Sequence, residues 1–188
     1  MSKGEALRDR TAALIVDSAA ALLARSGETA SMEDIATAAG IGRATLYRYF
    51  ANRDELLRAM ASASVEELAA QIGEADLDNA PFDEALTRLT RAIIATGSKY
   101  LALSRDGVGL TNAHPDADKA LIQPVRGLFR RAIAEGSLRD GLSPDLLLSL
   151  YSGLVRGALG AGGDRRLGVE DMVATIVTVF LHGVRAKG

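Results

Sequence analysis

The sequence predicts an all-α protein, and three of its features support that fold class. Leucine, isoleucine, valine and alanine recur three and four residues apart along most of the 188-residue chain, which is the spacing of one helix face. Hydrophobic residues make up 48% of the chain and aromatic residues only 4%, a composition typical of a helical core rich in leucine and alanine. Serine, asparagine, proline and glycine stand where helices would begin and end. We therefore expect helices joined by turns, in one large domain or two small ones.

The first predicted helix runs from Thr11 to Arg25. One face of it carries apolar side chains at helical spacing, namely Ala12, Ile15, Val16, Ala19, Leu22 and Leu23. The preceding segment, MSKGEALRDR, is charged and leads directly into this helix, so it does not have the form of a signal peptide. No apolar run approaches membrane-spanning length. We expect a cytoplasmic protein with no membrane partner.

Residues 31–60 predict two short helices that are joined by a tight turn and followed by a third helix. Ser31 is a favoured N-cap, and an acid three residues later approximates a capping box. Gly40 suits a helix end in the left-handed backbone conformation. The second helix covers residues 42–49, and Asn52 caps the third helix, again with an acid three residues later. This succession of capped segments is that of a helix-turn-helix.

The second helix of a helix-turn-helix enters the major groove of DNA, so its outward positions should be short, polar or basic. Arg43, Ala44, Thr45 and Arg48 satisfy this condition. The competing interpretation is an ordinary corner of a helical bundle, which needs no nucleic acid. The whole chain has a formal net charge of −2, but residues 41–53 hold three arginines and no acid. One basic face on a mildly acidic protein predicts local contact with phosphates.

The segment IATAAGIGRATLYRYFANRDELL, residues 35–57, resembles the TetR family of bacterial transcriptional regulators. The resemblance implies that Thr45 and Tyr47 hydrogen-bond DNA phosphates and that Arg53 contacts the backbone from the following helix. Arg43 matches a variable position that faces the groove. It is the leading candidate for base readout because arginine binds guanine O6 and N7, and a phosphate contact is the open alternative.

The chain departs from the family pattern at two positions of this segment. Gly42 stands where members usually carry serine or threonine, and Ala44 stands where they usually carry glycine or proline. Both departures concern the choice of operator. The residues predicted to contact DNA are Ser31, Gly42, Arg43, Ala44, Thr45, Tyr47, Arg48 and Arg53.

The resemblance also implies two domains. Residues 1–60 would form the helix-turn-helix DNA-binding domain, and residues 61–188 a helical domain for ligand binding and dimerisation. Apolar spacing continues from Asn52 to about Gly73, so one long helix should join the two domains. Further helices are expected from Phe82 towards Leu103, from Asp116 to Glu135 with a kink or interruption at Pro124, from Ser143 onward, and from Val169 to Arg185.

The final predicted helix, Val169–Arg185, is apolar over more of its circumference than a small domain can cover, which predicts dimerisation. In the TetR family the last two long helices of each subunit pair across a two-fold axis, and the resemblance implies a homodimer of that kind. A two-fold dimer presents two recognition helices to successive major grooves. The expected DNA partner is therefore a palindromic operator in double-stranded DNA.

The resemblance implies that the C-terminal helices bind a small-molecule effector. Few charges lie on inward faces, which favours an apolar or amphipathic molecule. Candidate ligand contacts are Tyr100, Leu103, Asn112, His114, Phe129, Tyr151 and Arg156. Core packing is the competing role for the aromatic members of this set. From the long helix that begins at Asn52 and from the family resemblance, we expect effector binding to tilt this helix and to weaken DNA binding. The resemblance implies a repressor released by its ligand, and activation is the open alternative.

Two other classes of protein compete with this interpretation: a helical small-molecule-binding protein or enzyme without DNA binding, and a DNA-binding regulator with no ligand. No arrangement of residues in the sequence indicates catalysis, and we expect no enzyme activity, cofactor or metal. The chain has no cysteine, and its two histidines, His114 and His182, are far apart in sequence. The glycine-rich GALGAGG at 157–163 is interpreted as a loop, since it follows no strand and lacks the P-loop lysine.

Overall fold

The computed structural model describes residues 3–26, 30–100, 116–139, 141–162 and 168–184. These residues form helices joined by turns, so the prediction of an all-α fold is confirmed. The chain divides into two compact units. The first unit holds the described residues up to Ser64 together with Lys99 and Tyr100, and the second holds Val65–Ser98 and the described residues from 116 onward.

The first unit is built on short helices around one apolar core. Its helices are α1 (Lys3–Ser26), α2 (Met32–Ala38), α3 (Arg43–Tyr49) and the beginning of α4 (Arg53–Glu74). The core side chains are almost fully buried and include Ile15, Ala19, Leu23, Ile35, Leu46, Leu56, Met60 and Tyr100. Helices of seven residues, such as α2 and α3, are marginal on their own. Burial of this core, at about 1.5–3 kcal/mol for each large apolar side chain, is what holds them.

The turn between α2 and α3 depends on one glycine. Gly40 has a φ of +66°, in the left-handed region where a residue with a Cβ pays roughly 1–2 kcal/mol. Directly after it, Ile41 donates its N–H to the carbonyl of Ala36 over 3.0 Å and packs against the core of the first unit. The turn therefore sets the angle at which α3 leaves α2.

Among the residues that the structure describes, the second unit contains the last part of α4 and four further α-helices. These are α5 (Phe82–Lys99, whose last residue belongs to the first unit), α6 (Gln123–Ala134), α7 (Pro144–Gly162) and α8 (Val169–Val184). An aromatic cluster lies at its centre. The centroid of the Phe129 ring is 5.6–6.4 Å from those of Phe82, Tyr151 and Phe180. Because these rings come from α5, α6, α7 and α8, the cluster joins four helices.

The predicted interruption at Pro124 takes the form of a π-helical stretch, Asp118–Ile122, directly before α6. Gln123 donates its N–H to the carbonyl of Asp118, five residues earlier. Pro124 has no N–H to offer to the carbonyl four residues before it, so the α-helical bonding pattern cannot continue through this point. The wider turn accommodates that loss.

The interpretation of 157–163 as a loop is wrong for the residues described, because α7 continues to Gly162. An interior glycine costs a helix about 1 kcal/mol relative to alanine, but packing can offset that cost. Leu159 supplies such packing: a Cβ placed on Gly97 of α5 would lie 2.8 Å from Leu159 Cδ1. The close packing of Leu159 against α5 therefore favours the continuation of α7 through its glycines.

Two helices of the second unit expose apolar side chains. Leu146 and Leu150 of α7 are 47% and 53% exposed, and Val179 of α8 is 54% exposed. Leu146 and Leu150 are four residues apart and so lie on the same face of α7. None of the helices in the described ranges is long and apolar enough to cross a membrane.

Candidate nucleic-acid interface

The beginning of α2 is closed by a reciprocal cap. Asp34 donates its N–H to the Ser31 hydroxyl oxygen over 3.2 Å, while its carboxylate accepts the Ser31 hydroxyl over 2.6 Å and the Ser31 N–H over 2.8 Å. The bond from the hydroxyl, followed by that from the N–H, lowers the pKa of Asp34 from its ordinary value of 3.8. Ser31, which the sequence suggested as a DNA contact, is exposed, and its hydroxyl completes this cap.

One side of α3 is anchored in the core. Leu46 is fully buried, and Phe50, the residue that follows the helix, is 6% exposed. Gly42 caps the N-terminus without a side-chain bond. Its carbonyl accepts the N–H of Thr45 over 2.9 Å and that of Leu46 over 3.1 Å. Tyr49 is half-buried and packs against the same core. With these side chains turned inward, the helical period directs Arg43, Ala44, Tyr47 and Arg48 outward.

The outward side of α3 forms the surface that the sequence predicted for DNA. Gly42, which precedes the helix, is exposed, and so are Arg43, Ala44, Tyr47 and Arg48 of the helix itself. Thr45 is half-buried beside them. We call Arg43, Ala44, Thr45, Tyr47 and Arg48 the α3 surface. It brings two guanidinium groups, a hydroxyl and a phenol together on a single short helix, a set of donors suited to phosphate and base-edge acceptors.

Both arginines of the α3 surface lie against aromatic rings. Arg43 Cζ is 5.6 Å from the centroid of the Tyr47 ring, and Arg48 Cζ is 5.8 Å from that of Tyr49. Such cation–π contacts are worth about 0.5–1 kcal/mol at exposed sites. Arg43 NH1 also lies 4.0 Å from the carboxylate of Glu33, on α2.

Arg53 occupies a different environment. It is half-buried at the first position of α4, and its NH1 donates to the carbonyl of Ala30 over 2.6 Å. This bond joins the beginning of α4 to the residue before the α2 cap. The predicted contact between Arg53 and the DNA backbone stays a prediction, and the structure adds an intramolecular role for the same side chain.

The N-terminus of α4 is satisfied by its own side chains. Asn52 Oδ1 accepts the N–H of Glu55 over 2.9 Å, as expected for the predicted N-cap. The Glu55 carboxylate accepts the N–H of Ala51 over 2.7 Å. Two donors at this helix end are therefore paired within the protein.

The residues proposed as ligand contacts lie in several places. Phe129 and Tyr151 are buried in the aromatic cluster, Tyr100 is 4% exposed within the core of the first unit, and Arg156 is exposed on α7. Tyr151 hydrogen-bonds Thr90 over 2.8 Å. Leu103, Asn112 and His114 lie outside the described residues.

A cavity of about 710 Å³ lies in the second unit, between the end of α4, the following loop and the π-helical stretch. None of the candidate ligand residues that are described lines it. Its lining mixes apolar and charged side chains, including Ile72, Asp76, Leu77, Asp78, Asp116 and Lys119. The loop is held in place by Arg131 of α6, whose NH2 donates to the carbonyls of Leu77 and Ala80 over 2.9 and 2.8 Å.

Sequence reasoning identified the α3 surface but missed Glu33 and this cavity. The signal for Glu33 was its place in the first turn of α2, from which a long side chain can reach the next helix. The cavity had no comparable signal, because its walls are far apart in sequence. Within the described ranges, no group of three histidine, aspartate or glutamate side chains is placed to hold a metal ion.

Known proteins with similar sequences are regulators of transcription. The model of the family described as bacterial regulatory proteins, tetR family, matches residues 15–60. The HTH-type transcriptional repressor LfrR of Mycolicibacterium smegmatis is 41% identical over 90 residues, which cover 48% of this chain and 47% of that protein. The chain thus aligns with about half the length of this relative. The HTH-type transcriptional regulator NfxB of Pseudomonas aeruginosa is 25% identical over 157 residues, or 82% of this chain and 84% of NfxB.

Solved structures extend the similarity to both units. The crystal structure of LfrR from Mycobacterium smegmatis in complex with proflavine has a TM-score of 0.73 and 27% identity, and the match covers 95% of this chain and 99% of that one. PfmR from Thermus thermophilus has a TM-score of 0.72 at 20% identity, covering 89% of this chain and 97% of PfmR. At that identity the second likeness concerns the fold alone.

Proposed function

We propose that the chain, whose residues 15–60 match the model of the tetR family of bacterial regulatory proteins, is a TetR-type transcriptional repressor which binds a palindromic operator as a homodimer and is released by a small effector. The observation that carries this proposal is the α3 surface, where Arg43, Thr45, Tyr47 and Arg48 project from a helix anchored by Leu46. Such a protein acts on the chromosome, in the cytoplasm. Residues 1–60 would be its DNA-binding domain and residues 61–188 its effector and dimerisation domain.

The exposed apolar residues of α7 and α8 support the dimer. Leu146, Leu150 and Val179 each expose about half of their surface, and burial of such side chains against a second copy contributes about 25 cal/mol for each Å² removed from water. A dimer whose two α3 surfaces enter successive major grooves reads half-sites one helical turn apart, about 34–36 Å. The operator should therefore be a palindrome with that half-site spacing.

The cavity in the second unit supports the effector. Its volume of about 710 Å³ is within the range of sites for drug-sized ligands. Ile72 and Leu77 give it an apolar wall, and Asp76, Asp78 and Asp116 give it negative charge. We propose an amphipathic effector with a positively charged group. The relative LfrR has been crystallised with proflavine, so a protein of similar fold binds a small molecule.

The route from effector to operator would be α4. Its last turns line the cavity through Ala69, Ile72 and Gly73, and its first residues pack into the core that holds α3. An effector that prefers one position of α4 shifts the population of DNA-binding conformations. By linkage, operator DNA then weakens effector binding by the same factor.

The first experiment is selection of DNA fragments by the purified protein at fixed salt, followed by sequencing of the retained fragments. We expect a single palindromic site, bound by a dimer. The double variant Thr45→Ala, Tyr47→Ala should lose that site because two donors of the α3 surface are removed. Thr87→Ala is the control, since the Thr87 hydroxyl bonds only locally on α5, to the carbonyl of Asp83 over 2.7 Å. Weak, salt-sensitive binding with no sequence preference would refute the regulator.

The second experiment measures binding of proflavine to the protein by dye fluorescence, without DNA because the planar dye also binds duplexes. Two charges near a bound cation contribute up to about 1 kcal/mol each in water, so Asp76→Asn with Asp78→Asn should weaken binding by about three- to tenfold. Asp9→Asn, an exposed acid of α1, is the control. Operator binding that no small molecule changes would favour a DNA-binding regulator with no ligand.

A further inference from the structure

Glu33 reaches from α2 towards the α3 surface. Its carboxylate lies 4.0 Å from Arg43 NH1, and the same guanidinium lies 5.6 Å from the centroid of the Tyr47 ring. Arg43 and Glu33 are 66% and 75% exposed, so both remain accessible to DNA. Arg43 thus lies near an acid of α2 and an aromatic ring of its own helix.

The two acids in the first turn of α2 have different partners. Asp34 accepts both the N–H and the hydroxyl of Ser31 and so completes the helix cap. The Glu33 carboxylate takes no part in that cap and points to Arg43 instead. Helix formation therefore accounts for Asp34, whereas it leaves the position of the Glu33 carboxylate unexplained.

We propose that Glu33 is a positioning residue, which holds Arg43 in the conformation that reads a base of the operator; this inference rests on the proposed function. An arginine side chain has many rotamers, and ordering it on DNA costs affinity unless it is ordered beforehand. A carboxylate and an aromatic ring near the guanidinium restrict those rotamers in the free protein. Glu33 also reduces the attraction of Arg43 to phosphates, which are the same in every sequence.

The strengths of the competing contacts suit this role. An exposed ion pair changes an equilibrium by about fivefold at most, whereas a bidentate contact between arginine and guanine discriminates against a wrong base by roughly fivefold to a hundredfold. A bidentate contact with guanine is therefore strong enough to replace the ion pair between Arg43 and Glu33. A contact between Arg43 and a phosphate is weaker, so the ion pair competes with it. The expected result is sharper base preference at the position that Arg43 reads.

The test compares base preferences at each operator position, measured by selection and sequencing for the whole protein and its variants. Arg43→Ala identifies the position that Arg43 reads. Glu33→Gln removes the charge at the same length, and Glu33→Asp keeps the charge but withdraws it by one methylene group. We expect both to lower the preference at that position by about two- to fivefold and to leave the other positions unchanged. The double variant Arg43→Ala, Glu33→Gln should lose no more than Arg43→Ala alone.

The matched control is Asp54→Asn, which removes an exposed acid from the first turn of α4 and should change affinity for all sequences alike. If Glu33→Asp keeps the wild-type preference and Glu33→Gln only raises affinity evenly, Glu33 acts by general repulsion and the proposal is refuted. It is also refuted if Arg43→Ala changes no base preference, although the regulator would stand. A wild-type protein that selects no site refutes the proposed function itself.

Discussion

The buried hydrogen bond between Tyr151 and Thr90 allows a quantitative prediction. The two hydroxyl oxygens are 2.8 Å apart, and the residues are 2% and 0% exposed. Thr90 also lies 2.7 Å from the carbonyl of Leu86 and donates its only proton there. Tyr151 must therefore be the donor in the bond to Thr90. Burial raises the pKa of Tyr151 well above its ordinary value of 10.0, with a smaller opposing effect from the Thr90 bond, so the phenol keeps its proton at neutral pH.

Because Tyr151 is the donor, substitution of Tyr151 and substitution of Thr90 should lower the free energy of unfolding by different amounts. Tyr151→Phe removes the donor, but Thr90 keeps its bond to Leu86, and the loss should be about 1 kcal/mol. Thr90→Val leaves the Tyr151 hydroxyl buried without a partner, which should cost more, about 2–3 kcal/mol. The double variant has neither hydroxyl. Its loss should be close to that of Tyr151→Phe and well below the sum of the two single changes.

The assay is urea unfolding followed by circular dichroism, with the transition of the second unit fitted separately if the units unfold apart. In thermal unfolding of a chain of this size, a loss of 1 kcal/mol in the free energy of unfolding lowers the melting temperature by about 2–4 °C. Thr87→Val is the control, because Thr87 lies on the same helix and bonds a backbone carbonyl in the same way, but is only half-buried. A loss for Thr90→Val no larger than that for Tyr151→Phe, or strict additivity in the double variant, would refute the reasoning.

Two further predictions concern the dimer and the α2 cap. Leu150→Glu places a charge on the exposed face of α7 and should yield a folded monomer in analytical ultracentrifugation, whereas Leu14→Glu, at an α1 leucine that is 52% exposed, should remain a dimer. Ser31→Ala should destabilise the first unit by about 1 kcal/mol in urea unfolding, and Ser31→Thr should retain most of that stability. The pKa of Asp34 is lowered on folding. The stability that Asp34 contributes is therefore fully present above about pH 4 and is lost as the pH falls through the pKa of the folded state. Stability of Ser31→Ala should therefore fall less steeply between about pH 5 and pH 3 than that of the wild type, because this variant loses the hydroxyl bond to Asp34 and keeps only the backbone N–H bond. An equally steep fall would show that the Ser31 hydroxyl does not perturb Asp34.

The parts of the fold that sequence predicted well are those set by neighbouring residues. The caps at Ser31 and Asn52 and the turn at Gly40 depend on bonds that span three or four residues and on one backbone angle. Pro124 likewise acts on the helix turn directly before it. Local chemistry decides these features, so local sequence was sufficient to predict them.

Features that depend on distant residues were predicted less well. The glycines of α7 suggested a loop, whereas the contact between Leu159 and Gly97 lies across two helices and has no local signature. Phe129 and Tyr151 were candidate ligand contacts because they are aromatic, but which rings meet one another depends on how four helices pack. The same applies to the cavity, whose walls come from segments near residues 72 and 119.

The polar residues of the first unit illustrate a further limit, since composition does not reveal whether a polar group already has a partner. Arg53 was predicted to contact the DNA backbone because it matches a basic residue of the TetR family, and its guanidinium also bonds the carbonyl of Ala30 over 2.6 Å. That bond ties the first turn of α4 to the segment that leads into α2, while Leu56 and Met60 of α4 pack into the core that anchors α3. A tilt of α4 would therefore be carried to the α3 surface at two points, through a hydrogen bond and through the core. If the proposed effector mechanism holds, Arg53 would therefore serve both as a DNA contact and as a link between α4 and the segment that leads into α2.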